Sequence, residues 1–477
     1  MSTVQTIAKN IGILLFANVT IGILGFVLVI FIARCLGDVE FGKYSFALAF
    51  AGLFAILSNI GLQIVVTRDV ARDRSQAGRY LGNVALIELI LLIITFFLML
   101  ITINLMNYPN DTKLIVYIIG IAVLLDGTFI MLFKSIFRAF EKMEYEALVT
   151  ILEKSIFVCL GFFTLFYGYG LIGLVLAYLL ANIVIFIFSF LITVQKFAIP
   201  RFEIERHLWK YLILTALPFG LAGVLNLIYI RTDTIMLSMI KGDAVVGWYN
   251  AAHTLVSSLS LISIGFITAI FPSMSNSFVS SKKSLIGIYE SSFKYSLILL
   301  LPIAVGTTLL ADRIILFVYG ESFIHSVGAL QILIWSGVIS FLNSLYYATL
   351  GAINRQKITS IIMGSGAIVN VFLNLLLIPM LSYIGAGIAT IATQAACLIL
   401  AYYLMSKYLH KLPLFKLTVK PMIASIGMGF FLLYFHNINL LILIVSAAIV
   451  YFVMFIGIKG FDNEDWNLFR RLIKRSG

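Results

Sequence analysis

Apolar runs of about twenty residues recur along this chain from end to end, and no other feature constrains its fold as tightly. A run of that length crosses ~30 Å of hydrocarbon as a helix. Inside a bilayer, helices and closed barrels are the only spanning structures that satisfy every backbone group. Fourteen spans are read, at 11–33, 45–66, 81–103, 114–134, 148–168, 171–194, 211–240, 248–270, 294–316, 327–350, 358–380, 384–406, 421–436 and 438–458. Hydrophobic residues make up 61% of the chain and charged ones 11%, whereas a soluble domain is about half apolar and a quarter charged. No soluble domain of ordinary size fits between the spans. The expected fold class is therefore all-α integral membrane, with fourteen transmembrane helices.

Charge placement orients these spans. The chain carries 33 Lys and Arg, and a net charge of +12 raises the question of nucleic acid. Sorted by loop, however, 26 of the basic residues fall on one side and 5 on the other, with Lys154 and Arg231 inside spans. The positive-inside rule then places both termini in the cytoplasm, and the basic excess is an orientation signal and a lipid-headgroup contact. No nucleic-acid partner is expected. Arg34 and Arg68, at opposite ends of the first two spans, are expected to snorkel to headgroups. The tail 466–475 alternates apolar and cationic positions and is expected to lie flat on the anionic inner leaflet. The polar start leads straight into a full-length span, so an uncleaved first helix is expected rather than a signal peptide. Cys35, Cys159 and Cys397 are scattered, which indicates neither a disulfide framework nor a metal site.

An internal repeat organises the spans. Gly37-Asp38-x-x-x-Gly42-x-Tyr44 returns 205 residues later as Gly242-Asp243-x-x-x-Gly247-x-Tyr249. A second echo, Ile172-Gly173-x-x-Leu176-Ala177 and Ile384-Gly385-x-x-Ile388-Ala389, has an offset of 212. Units six spans apart keep one orientation in the membrane, and parallel repeats of this kind belong to transporters. The expected organisation is an N-terminal six-helix lobe at 1–205, a C-terminal six-helix lobe at 206–408, and a helix pair with a basic cytoplasmic tail at 409–477.

The stretch from Ile32 through Gly37-Asp38, Phe41-Gly42 and Tyr44, followed by Gly61-Leu62 and Thr67-Arg-Asp-Val-Ala71, resembles the opening of the polysaccharide-exporting oligosaccharide flippases. Their superfamily also holds the multidrug and toxic-compound extrusion transporters and the lipid II flippases. Residues 233–249, Tyr319-Gly-Glu-Ser-Phe323 and Asn374-Leu-Leu-Leu-Ile-Pro379 with Gly385-Ala-Gly387 resemble the same family. The resemblance covers residues 1–406. It implies a flippase of the cytoplasmic membrane that carries an undecaprenyl- or dolichyl-linked oligosaccharide by alternating access, with glycan-synthesis proteins as candidate partners. It also implies a coupling role for Asp233, which resembles an acidic position recurrent in the family.

An ionisable group deep in a span costs at least about 2.5–3.5 kcal/mol and is rare without a use. Arg231 is placed to bind the phosphate of a lipid-linked sugar, since guanidinium suits bidentate phosphate contacts. The plainer reading is a buried ion pair with another span, Asp126 being the partner in view. Arg231 and Asp233 point about 200° apart on a helix and cannot pair simply. Glu88 and Asp126 are the other deep carboxylates, suited to a proton or sodium relay or to neutralising Arg231 or Lys134. Asn18, Asn59, Gln63, Asn226, Asn370 and Asn374 are span amides that could face a cavity, as are Asn343 and Gln394. Such side chains commonly glue helices together.

No cofactor is expected beyond a coupling H+ or Na+. Gly37 to Lys43 has the spacing of a phosphate loop. It lacks the following Ser/Thr, follows a membrane span, and has Trp248 for the lysine in its copy, which excludes ATP binding there. The five histidines form no i,i+4 pair, and no catalytic arrangement can be assigned. Two rival classes remain. A membrane glycan polymerase or ligase would need a large external loop, which is absent from this sequence. A cation-coupled multidrug antiporter would keep the two lobes, but it fits twelve spans better than fourteen.

Overall fold

The computed structural model describes the backbone of residues 3–462 and 465. It describes the side chains of the same residues except 3–11, 14, 15 and 226. The amphipathic tail at 466–475 lies outside the described residues, as does the side chain of Asn226. Helices follow one another without a strand among the described residues. The first are α1 (Thr3–Asn59), α2 (Leu62–Arg72), α3 (Ala77–Leu105), α4 (Asn110–Leu125), α5 (Met131–Ala139), α6 (Met143–Phe166), α7 (Gly170–Lys196) and α8 (Arg206–Lys241). After them come α9 (Asp243–Ser257), α10 (Leu259–Ser280), α11 (Lys282–Leu309), α12 (Ala311–Val318), α13 (Ser326–Ala352), α14 (Gln356–Tyr408), α15 (Leu414–Tyr434) and α16 (Leu440–Gly457).

Twelve helical stretches among the described residues are long and apolar enough to cross a membrane. This is a multi-pass membrane protein. Two of the helices are too long for one crossing: the 57 residues of α1 would run about 85 Å at 1.5 Å each. Gly37 breaks α1 with φ 77° and ψ 179°, and Ser382 breaks the 53-residue α14 with φ 56° and ψ −137°.

The chain packs as two compact units. One comprises 1–254 with 367–386, and the other comprises 255–366 with 387–477. This division by packing differs from the division by repeat into 1–205, 206–408 and 409–477.

In the first unit, the short helices α2 and α5 share a core with the longer ones. The short helix α2 buries Leu62, Val65, Val66 and Val70, positions that share one face at helical spacing. They join a core with Leu81, Val84, Phe133, Ile136 and Phe137. A π-helical turn at Asp126–Ile130 separates α4 from α5. Such turns open the backbone ladder and often mark functional positions.

In the second unit, Pro302 lies inside α11. A proline has no N–H, so the carbonyl four residues earlier loses its helical donor. That carbonyl belongs to Ile298, and the Tyr451 hydroxyl of α16 donates to it at 2.8 Å. One side chain thus repairs the ladder and pins α16 to α11. Ala424, Met428, Leu432, Leu443 and Phe455 pack around this point. Elsewhere in the unit Asn343 of α13 donates to the side-chain and backbone oxygens of Gln394, at 2.9 and 3.0 Å. This is the helix-gluing use of a span amide.

Candidate functional site

The repeated glycine-aspartate motif folds the same way twice and closes upon itself within the first unit. Gly37 and Gly242 share a positive φ, 77° and 89°, a conformation that L-residues with a side chain avoid. A Cβ on Gly42 would lie 1.8 Å from the Asp243 carbonyl oxygen, and one on Gly247 would lie 2.1 Å from that of Asp38. Each copy's second glycine therefore exists so that the other copy's backbone can touch it. Trp248, standing where the first copy has Lys43, donates its indole N–H to Asp38 at 2.7 Å.

Beside this contact Tyr249, the last residue of the second copy, donates its hydroxyl to Asp233 Oδ2 at 2.7 Å. Asn374 donates to Asp233 Oδ1 and contacts Asn370 Oδ1 at 3.0 Å. Asp233, Asn370 and Asn374 are all buried, and Asn374 Oδ1 has no donor among the described residues. The result is an oxygen-rich cluster held by α8, α9 and α14. Two residues before Asp233 on α8, Arg231 is partly buried and its Nε has no hydrogen-bond partner among the described residues. The pair considered between Arg231 and Asp126 is not formed.

Asp126 instead faces Lys134, at 3.8 Å, and Lys134 also meets Glu153 at 3.2 Å. Two carboxylates thus share one buried ammonium, and Asp126 Oδ1 accepts no hydrogen bond among the described residues. Lys154, next to Glu153, lies over the Phe157 ring at 5.8 Å. The π-turn that carries Asp126 also presents the Gly127 carbonyl, which accepts from Asn59 at 2.7 Å and Gln63 at 3.1 Å. Gln63 reaches on to Glu88 Oε1 at 3.3 Å. Glu88 is fully buried and its second oxygen has no donor among the described residues.

The structure thus joins Asn59, Gln63 and Glu88 in one group and Asp233, Asn370 and Asn374 in another, and leaves Arg231 separate. Asn18 is exposed. Arg68 does not end free at a headgroup: it donates to Asp69 at 2.8 Å and to Tyr211 at 2.9 Å. Glu153 and Tyr249 carry no site signal as isolated letters. Their roles follow from partners 19 and 16 positions away.

Long apolar helices with ionisable groups held inside them define a multi-pass membrane protein of the kind that moves solutes or protons through its spans. The family model for polysaccharide biosynthesis proteins matches residues 7–278, and that for the lipid II flippase MurJ matches 155–456. The chain belongs to the polysaccharide and oligosaccharide flippase family of the multidrug/oligosaccharidyl-lipid/polysaccharide exporter superfamily.

An uncharacterized membrane protein of Methanocaldococcus jannaschii is 28% identical over 72% of this chain and 71% of its own length. A protein of Haloferax volcanii, named a probable low-salt glycan biosynthesis flippase, is 24% identical over 82% of each chain. Among solved structures, lipid II flippase MurJ in an inward closed conformation superposes with a TM-score of 0.76 at 18% identity, covering 92% of this chain and 97% of that one. An inward-facing multidrug MATE transporter superposes with a TM-score of 0.66 at 17% identity, over 80% and 94%. At these identities the two superpositions establish the fold alone.

Proposed function

We propose that this protein flips a polyprenyl-phosphate- or pyrophosphate-linked oligosaccharide across the cytoplasmic membrane, for surface polysaccharide or glycan synthesis. It is a transporter and not a catalyst. The observation that carries the reading is Arg231, whose buried Nε lacks a partner among the described residues in the middle of an apolar helix. The headgroup of such a substrate must pass an apolar zone where an unpaired anion is very costly. A guanidinium keeps its charge there, and its planar fork fits phosphate oxygens. The likeness, over 82% of each chain, to a Haloferax relative named as a probable glycan biosynthesis flippase supports the same substrate class.

The broken helices α1 and α14 each supply two crossings in this reading, which turns twelve long helical stretches into fourteen spans. The bias of basic residues favours cytoplasmic termini. Spans one to six and seven to twelve act as parallel lobes, 1–205 and 206–408, that rock to alternate access, and the spans of 409–477 are added to them. Asp233 with Asn370 and Asn374 offers a carboxylate and amide oxygens for a coupling H+ or Na+. Asp126 and Glu88 are the second candidates for that role.

The test is glycan export in cells whose only copy carries Arg231→Ala or Arg231→Lys, at matched membrane abundance. Ala is expected to abolish export and Lys to retain part of it. Wild-type export with the Ala variant would remove Arg231 from the substrate path and with it the support for this reading.

A further inference from the structure

We infer that Glu88 is a proton-binding site that sets the π-turn at Asp126–Ile130 and, through that turn, which carboxylate holds Lys134. The inference deepens the transporter reading above, on which its place in a transport cycle rests. Glu88 lies on α3 with no exposed surface. Gln63 donates to its Oε1 at 3.3 Å, and Oε2 has no partner among the described residues. The elements packed against α3 are α1, α2, α4, α5, α8 and the π-turn. Their charged groups are engaged elsewhere, Lys43 with Asp111, Arg68 with Asp69 and Lys134 with Asp126. None of them, Arg231 of α8 included, forms an ion pair with Glu88 among the described residues. An unpaired carboxylate in an apolar interior is very costly, so a neutralising partner has to bind here. A hard metal cation collects several oxygens, whereas the side chain against Glu88 presents an N–H. A proton needs one carboxyl oxygen, and Oε2 is free to take it.

Gln63 carries the state of Glu88 to the π-turn. Its amide also reaches the Gly127 carbonyl at 3.1 Å, beside the Asn59 amide at 2.7 Å. In an α-helix the Met131 N–H would take that carbonyl, four residues back. Here it goes to Asp126, five back, and the two amides occupy what Met131 leaves. The residue absorbed by a π-turn changes which side chains share a face. At about 100° per residue, positions eight apart lie ~80° from one another on a regular helix, but within ~20° once one residue is absorbed. Asp126 thereby comes to 3.8 Å from Lys134. An ionised Glu88 draws the Gln63 amide into a charge-assisted bond and off Gly127. Met131 then recovers the Gly127 carbonyl, the π-turn becomes α, and Asp126 turns away. Lys134 is left to Glu153, which it already meets at 3.2 Å. Return of a proton from water to Oε2 reverses the change.

Two measurements on the purified full-length protein test this. Neither needs the glycan, so this site and the flippase reading fail separately. The first is the infrared difference spectrum between wild type and Glu88→Gln, a variant that keeps the shape of the neutral acid. Wild type is expected to show the carbonyl band of a protonated carboxyl, shifted in deuterium oxide, which the variant lacks. Carboxylate bands in its place overturn the site. The second is hydrogen exchange at residues 126–131 from acid to alkaline pH, corrected for the intrinsic rate. Exchange in wild type should slow about fivefold, the worth of one hydrogen bond, as Glu88 gives up its proton. Glu88→Gln should hold the acid-side rate throughout. Gln63→Leu should keep the infrared band and lose the exchange response. A response that survives either substitution, or none in wild type, overturns the link between Glu88 and the π-turn.

Discussion

In the unit built from 1–254 and 367–386, Glu88, Asp126, Lys134, Glu153, Lys154, Arg231 and Asp233 all lie within apolar helices. In the unit built from 255–366 and 387–477, Arg313, Lys357, Lys407 and Lys416 lie toward helix ends, Lys294 lies midway along α11 on Asp462 and Asp465, and the buried polar groups are mostly serines and threonines. Both units cross the same solvent and pay the same desolvation cost, so the difference is not a tolerance of the membrane. The first unit holds its charges through partners that leave oxygens or nitrogens unused, at Glu88, Asp126 and Arg231. The second also leaves polar atoms unused, at Ser296, Asn343 and Thr393 among others, but these are uncharged, and two of its polar groups serve structure: Tyr451 on the carbonyl that Pro302 frees, and Asn343 on Gln394. Charge inside apolar helices therefore concentrates in one unit.

The sharpest way to break this comparison is at Lys134. Lys134→Met leaves Asp126 and Glu153 without their shared cation, and stripping one partner from a buried pair costs about 3–5 kcal/mol. Adding Glu153→Gln and Asp126→Asn should recover most of the loss. Thermal melting of the purified protein in detergent reads both effects. A loss in the single variant no larger than at an exposed pair would mean that the ionic interior is not what holds this region.

In the second unit the matching change is Tyr451→Phe, which leaves the Ile298 carbonyl without a donor. An orphaned buried acceptor costs about 1–3 kcal/mol. Faster hydrogen exchange confined to α11 and α16 is the expected readout, and unchanged exchange there would show that the carbonyl finds another donor.

A pH titration separates the ion pairs of Lys294 with Asp462 and Asp465 from both interiors. Burial works against ionisation of Asp465, but donations from Lys294, Tyr295 and the Asp462 N–H outweigh it and hold the carboxyl below the ordinary range. A lowered folded-state pKa stabilises the fold above the unfolded value of about 3.9 and is lost as pH falls through the folded value. The stretch at 459–462 should therefore stay protected from proteolysis from neutral pH down to about 4. It should detach only below that, and Lys294→Met should remove the dependence. Detachment between pH 7 and 5 would contradict the assignment.

The smallest effect is expected for Arg79→Gln. Its bidentate contact with Glu205 joins side chains that are 42% and 29% exposed, so screening limits the loss to below about 1 kcal/mol. A melting shift as large as that of Lys134→Met would erase the distinction between surface and interior ion pairs.

The spans, the duplicated motif and the isolated charges within apolar runs are legible in the letters because run length and hydropathy must match a slab of fixed thickness. The motif's glycines are legible as a repeat, but their reason is not. Only the fold shows that Gly42 makes room for the Asp243 carbonyl and Gly247 for that of Asp38. Asp126 illustrates the limit more sharply. Its neighbour in space is Lys134, brought round by the π-turn at Asp126–Ile130, while Arg231, the partner its charge suggests, is elsewhere.

The sequence by itself determined that this chain lives in a membrane and which side chains bear a charge within its apolar runs, since these follow from composition along one dimension. Tertiary structure alone decided which charge meets which. The contact between Asp233 and Asn374 closes over 141 residues, and that between Lys134 and Glu153 over 19. Distances of a few ångströms between helices are set by the packing of their faces, and no local pattern in either helix encodes its neighbour.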